Sequence, residues 1–225
     1  MLYQTENQHG GDVYGGGITL DFSANTNPLG TPPGVLEAVR RGLPQLHRYP
    51  DPYCRQLVQA ITAHEQVPAS YVLCGNGAAD LIYAYCAALR PRTAVEPAPT
   101  FAEYGLGLAQ VGCRVASYFL HQAENFDLDE GFLPFLEEKK PEVVFLCTPN
   151  NPTGRLLPLP LLEQILQVCA AWGAQVFLDE CFLDLTEGGG SASSLLATHP
   201  ELLILKAFTK SYGMAGIRLG YCLCA

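Results

Sequence analysis

Four lysines occur in the 225 residues, and two of them sit where an amine could act as a nucleophile. Lys139 and Lys140 lie in a charged stretch that reads as a solvated face. Lys206 and Lys210 instead follow the apolar run Leu202-Leu-Ile-Leu205, among small and apolar neighbours. A lysine in such surroundings loses its proton more easily and can attack an aldehyde, whereas most lysines snorkel at a surface. Arg218 adds a fixed cation shortly after Lys210. Gly75-Asn-Gly77-Ala-Ala-Asp80 follows an apolar run and opens a helical pattern, so its free backbone N–H groups can hold a phosphate. An amine nucleophile, a cation and a phosphate cradle together describe an aldehyde cofactor that carries a phosphate, and pyridoxal 5'-phosphate fits that description.

That cofactor gives other residues roles. Asp179, at the end of Gln175-Val-Phe-Leu, would pair with a pyridine nitrogen and keep it protonated; otherwise it is a strand-end cap. Asn151 could donate to the phenolic oxygen of the ring, and Phe101 could lie against the ring face or simply fill a core. The glycine segment also admits a dinucleotide reading, with Glu96 as a ribose-binding acid. Against it, Asp80 occupies the place of the third glycine, where a carboxylate repels a pyrophosphate.

These residues need elements to carry them. Residues 1–45 are broken by Gly10, Gly11, Gly15, Gly16, Gly17, Pro28, Gly30, Pro32 and Pro33, and form an N-terminal arm with one short helix over 34–41. From residue 46 to 225 the pattern is regular. Helices are predicted over 53–64, 78–89, 101–111, 131–139 and 159–172. Strands are predicted over 71–74, 93–96, 114–119, 143–147, 175–179, 202–205 and 219–223. Short apolar strands alternating with helices make an α/β fold, a mostly parallel seven-stranded sheet covered by helices. In open α/β sheets ligands collect beyond the carboxyl ends of the strands, and the candidate residues follow apolar runs.

Composition narrows the classes. With 48% hydrophobic residues the chain can bury one sizeable core, and with 13 basic against 22 acidic residues a nucleic-acid partner is not expected. No apolar run approaches a membrane span of about 20 residues, and the polar start carries no basic leader, so a cytoplasmic location is expected. The nine cysteines follow no metal-ligand spacing and read as small buried hydrophobes, so no metal site is expected.

Taken as a set, Gly75-Asn-Gly77-Ala-Ala-Asp, Pro99-Thr-Phe101-Ala-Glu-Tyr, Thr148-Pro-Asn-Asn151-Pro-Thr-Gly, Asp179-Glu-Cys-Phe182 and Thr209-Lys210-Ser-Tyr-Gly-Met-Ala-Gly-Ile-Arg218 resemble the fold-type-I, pyridoxal-phosphate-dependent class I/II aminotransferase family. Two branches are similar, the histidinol-phosphate aminotransferases and the threonine-phosphate decarboxylases of cobalamin synthesis. The segments His9-Gly-Gly11, Asp21-Phe-Ser-Ala-Asn25-Thr-Asn27-Pro-Leu-Gly30 and Phe101-Ala-Glu-Tyr104 lean towards the second.

The resemblance implies that residues 46–225 form the cofactor-binding large domain and that Lys210 captures the cofactor and shuttles protons. It assigns Asp179 to the ring nitrogen, Asn151 to the phenolic oxygen and Phe101 to the ring face. Gly77, Ala78, Ala79, Thr209 and Arg218 fall to the phosphate. Tyr49 would reach the cofactor phosphate of a partner subunit, which implies a homodimer. His9, Gly10, Asn25 and Asn151 match positions that touch a phosphorylated amino-acid substrate.

The sequence departs from the family at four points. Phe182 stands where aminotransferases commonly place a tyrosine, Ala207 replaces a frequent Ser or Thr, and the arm is short between Gly11 and Asp21. The sequence also stops at Ala225, ahead of the family's small C-terminal domain. An aminotransferase, a cofactor-binding fragment without activity and a nicotinamide-dependent oxidoreductase are the alternatives to decarboxylation.

Overall fold

The computed structural model describes residues 10–225; His9 lies outside them. Seven strands form one sheet in the order β1-β7-β6-β5-β4-β2-β3. They are β1 (Val72–Gly75), β2 (Thr93–Ala98), β3 (Arg114–Phe119), β4 (Val143–Cys147), β5 (Gln175–Asp179), β6 (Leu202–Ala207) and β7 (Gly220–Cys224). The pairs β2–β3, β2–β4, β4–β5 and β5–β6 are parallel, while β7 runs antiparallel to both β6 and β1. The sheet is therefore mostly parallel, as expected from the alternating pattern.

Helices cover both faces. The interior strand β4 is buried along Val143, Val144, Phe145 and Leu146, as a strand with two covered faces must be. The two-residue alternation of a strand divides the core. Val144, Leu146, Val176, Leu178, Ile204 and Tyr221 pack on one face with α5 (Phe132–Lys139) and α6 (Leu159–Ala170). Val143, Phe145, Phe177, Leu205 and Cys222 pack on the other with α3 (Ala78–Leu89) and α4 (Ala102–Gln110).

Every predicted element boundary matches the sequence pattern to within two residues, and the two-residue extension of β6 is the informative difference. Lys206 and Ala207 belong to the strand rather than following it. A charge ends an apolar run in sequence, but here Lys206 is buried against carboxylates from distant elements. A four-residue helix, α7 (Phe208–Ser211), then carries Lys210; it is too short for periodicity to reveal. In the arm, α1 (Pro33–Gly42) starts on a proline and ends on Arg40 and Arg41, as helix ends prefer, yet it buries no residue. The helix α2 (Arg55–Glu65) then leads into β1. No helix among the described residues is long and apolar enough to cross a membrane.

Candidate active site

Beyond the carboxyl ends of β4, β5 and β6 lies a cavity of about 260 Å³ lined by both predicted catalytic residues, Asp179 and Lys210. Ala78, Ala79, Phe101, Asn151, Thr209 and Arg218 also line it, so the sheet brings together side chains drawn from five separate turns.

Asp179 ends β5 on the face shared with Phe177 and is only 4% exposed. Its Oδ1 accepts the Cys181 N–H at 2.8 Å and its Oδ2 accepts the Tyr104 hydroxyl at 2.7 Å. Burial raises its proton affinity above the ordinary carboxylate range, opposed by the Cys181 thiol, the Tyr104 hydroxyl, the Cys181 N–H and the charge of Lys210. Such a carboxylate gains from a cation placed in the cavity. Lys210 lies 5.4 Å from the centre of the Phe182 ring. Burial lowers its pKa, Arg218 lowers it further, and the charge of Asp179 works against both. A half-buried amine of lowered basicity loses its proton more readily, which a nucleophilic role would require.

The phosphate end is built from β1, α3 and the turn before β7. Gly77 has φ +91°, a conformation suited to glycine, and a Cβ there would lie 2.6 Å from Arg218 Nη2. No side chain caps α3, so its first N–H groups and the Arg218 guanidinium share one small region, a natural anion site. Asp80, feared as a repellent, turns back to accept the Asn76 N–H at 2.9 Å. Together these features fit pyridoxal phosphate: an anion cradle where Gly77 approaches Arg218, an amine of lowered basicity, and a buried carboxylate supplied with donors.

Two site residues escaped sequence reasoning. Tyr104 is fully buried, stacks on Phe145 at 5.2 Å, meets Phe101 edge-on at 5.6 Å and donates to Asp179. It belonged to a quoted motif, and its position one helical turn from Phe101 was the available signal. Asn150 accepts the Thr100 hydroxyl at 2.8 Å and donates to the Pro99 carbonyl at 2.9 Å and to Thr153 Oγ1 at 3.0 Å. It thereby ties the turn after β4 to the turn after β2 and sets Asn151 and Phe101 on the same cavity.

The remaining predicted residues stand apart. Asn25 is exposed and lines a second opening together with Asn151 and Phe182. Gly10 is exposed and packs against Ser23, where a side chain would collide with the backbone. Tyr49 is wholly exposed, beside Leu46, Arg48 and Pro50, away from the cavity. Glu96, the acid of the dinucleotide reading, is not among the cavity residues; its Oε2 is buried without a partner.

Comparison with known proteins places the chain among relatives of one family. The threonine-phosphate decarboxylase of Salmonella typhimurium is 42% identical over 202 residues, 90% of this chain and 55% of its own. The histidinol-phosphate aminotransferase of Desulfitobacterium hafniense is 35% identical over 213 residues, 92% of this chain and 57% of its own. The chain thus spans a little over half the length of these relatives. Among solved structures, the histidinol-phosphate aminotransferase of Sinorhizobium meliloti, in complex with pyridoxal-5'-phosphate, shares the fold with a TM-score of 0.79 at 24% identity, over 89% of this chain and 55% of that one. The family profile described as aminotransferase class I and II matches residues 18–225. This chain belongs to the class I and II aminotransferase family.

Proposed function

We propose that the protein uses pyridoxal 5'-phosphate to decarboxylate L-threonine O-3-phosphate to (R)-1-amino-2-propanol O-2-phosphate. The observation that carries the cofactor half of this reading is the meeting of Asp179, Lys210 and the Gly77–Arg218 cradle on one cavity. Two facts favour decarboxylation. Identity is higher to the Salmonella decarboxylase than to the Desulfitobacterium aminotransferase, and Phe182 presents an unsubstituted ring where a tyrosine would offer a hydroxyl.

The chemistry the cofactor supplies when bound is an aldehyde to take the substrate amine and a protonated ring to store the electron pair released with CO₂. The chain's own residues do the rest. Asp179 holds a negative charge for the ring nitrogen, kept in place by Tyr104 and the Cys181 N–H. Arg218, Thr209 and the N–H groups of Ala78 and Ala79 would hold the cofactor phosphate, Asn151 would donate to its phenolic oxygen, and Phe101 would form a wall for its ring. Lys210 would hold the aldehyde end of the cofactor through its amine and would supply the proton that replaces the carboxylate, so that the C–C bond to the carboxyl carbon breaks, CO₂ leaves and a C–H bond forms in its place.

His9, Gly10, Asn25 and Asn151 contact the substrate in this reading, and Asn25 already shares an opening with Asn151. Tyr49 serves the cofactor phosphate of a second copy in a homodimer, consistent with its exposure away from its own cavity. The test is CO₂ release from carboxyl-labelled phosphothreonine by the purified protein with cofactor and without a 2-oxo acid. Release under those conditions supports decarboxylation. Amino transfer that requires a 2-oxo acid, without CO₂, replaces it with the aminotransferase reading.

A further inference from the structure

The helix that presents Lys210 satisfies its own end only in part: the Tyr212 N–H donates to the Phe208 carbonyl at 3.2 Å and the Gly213 N–H to the Lys210 carbonyl at a long 3.4 Å. A helix leaves its last four carbonyls without internal partners, and α7 is only four residues long. The N-terminal arm supplies donors. The Asn27 backbone N–H donates to the Lys210 carbonyl at 3.0 Å, and Asn27 Nδ2 donates to the Ser211 carbonyl at 2.8 Å. Thr31 Oγ1 donates to the Gly213 carbonyl at 2.7 Å. Asn27 is itself held: its Oδ1 accepts the Leu29 N–H at 2.9 Å, and its carbonyl accepts the Gly30 N–H at 3.0 Å. Every polar group of Asn27 is thus engaged, half with its own turn and half with the lysine turn.

The two segments also meet backbone to backbone. Gly213 has φ +57°, and a Cβ there would lie 3.0 Å from the Gly30 carbonyl carbon and 3.1 Å from the Thr31 nitrogen. Little apolar burial holds the arm in this place. The helix α1 buries no residue, and Leu20, Phe22 and Leu29 are 74%, 89% and 91% exposed. The polar clasp from Asn27 to Thr31 is therefore what docks this stretch of the arm, and it docks on the carbonyl of the residue whose amine enters the cavity.

We propose that Asn27 is the positioning residue for Lys210: by capping the carbonyls of Lys210 and Ser211 it holds the turn that directs the amine into the cavity, and it couples arm docking to the reactivity of that amine. The proposal rests on Lys210 being the cofactor-capturing amine, but its test needs no cofactor. Pulse labelling of the cofactor-free protein with acetic anhydride across pH, read by peptide mass spectrometry, gives a separate reactivity curve for each lysine. Lys206 in the same molecule reports any general loosening.

In Asn27→Ala the Lys210 curve should move to higher pH, as the released amine returns to water, while the Lys206 curve stays in place. Cofactor affinity should fall about fivefold, the equivalent of one lost hydrogen bond. Asn27→Asp keeps the acceptor for Leu29 but lacks the donor to Ser211, and should behave like the alanine variant. An unmoved Lys210 curve in both variants, or Lys206 and Lys210 moving together, overturns the proposal. Failure of the cofactor reading is separately visible: borohydride would then leave no pyridoxyl on Lys210 of the unmodified protein, whatever the labelling curves show.

Discussion

Lys206 and Lys210 follow the same apolar run, yet the fold gives them opposite environments. Lys206 lies on the face of β6 shared with Ile204. Its Nζ is 3.1 and 3.2 Å from the two Glu65 carboxylate oxygens and 3.6 Å from Glu180 Oε2. Glu65 accepts the Tyr221 hydroxyl at 2.6 Å, and Glu180 accepts the Ser191 hydroxyl at 2.7 Å and the Ala192 N–H at 2.8 Å. Burial alone would lower the pKa of Lys206, but the charges of Glu180 and Glu65 outweigh it and hold the amine above its ordinary value. Lys210, with no carboxylate within salt-bridge distance among the described residues, is shifted the other way. Burial makes a lysine reactive only when no carboxylate answers it; with two answering, burial makes a permanent cation that fastens α2 to the sheet.

The comparison predicts different consequences on its two sides. The largest is at the cavity. Asp179→Asn keeps the shape and both neighbours but cannot hold a charge for the ring nitrogen, so turnover should fall on the order of 10²–10³-fold, as when a preorganised electrostatic partner is removed. Steady-state assay with saturating cofactor, beside a circular dichroism spectrum, checks that activity goes while the fold remains.

Lys206→Met should act on stability instead. It leaves Glu65 and Glu180 buried without their cation, which costs about 3–5 kcal/mol, read from the urea midpoint and slope. Glu65→Gln should cost less, because Glu180 remains to pair with the amine.

Glu96 sharpens the point from another side, since it has burial without partners. Its pKa is raised to about 7 by desolvation, and its Oε2 is unpaired. The folded protein then binds a proton more tightly than the unfolded chain, so stability falls as pH rises from about 4.5 to 7 and the penalty is complete above 7. Glu96→Gln removes it, and should raise stability by about 2 kcal/mol at pH 8 while changing little at pH 4.5. Thermal melts at the two pH values distinguish this from a pH-independent packing gain.

The smallest effect is at Tyr104. Tyr104→Phe preserves the stack on Phe145 and removes one of the donors to Asp179, at a cost of about 1–2 kcal/mol. Asp179 then ionises at higher pH, so the acid limb of the activity profile should move upward, with about a tenfold loss at its foot. An unchanged limb would show that Cys181, through its N–H and thiol, sustains the carboxylate without Tyr104.

The sequence displayed the elements better than the contacts. Helix α3 and strands β3, β4 and β5 were legible to the residue, because their apolar periods run uninterrupted between glycines, prolines and charges. Asp179, Lys210, Phe101 and Asn151 were legible as candidates because each follows an apolar run, where α/β ligands bind, and Arg218 as a second cation close after Lys210; the fold puts all five on one cavity. Lys206 was misplaced as a residue after the strand because the groups that make its burial tolerable, Glu65 and Tyr221, come from α2 and β7, and no local pattern links them. Asn150 and Asn27 were hidden for the same reason: each joins turns far apart in sequence through hydrogen bonds that only the folded chain creates.

The central claim, that the fold reserves one of these two amines for the cofactor, is tested most directly by trapping. The protein is loaded with pyridoxal phosphate, reduced with borohydride, digested and mapped by mass spectrometry. The account predicts pyridoxyl on the peptide containing Lys210 and none on Lys206, in the unmodified protein and in Glu65→Gln alike. Pyridoxyl on Lys206, or label spread evenly over the surface lysines Lys139 and Lys140, would contradict it.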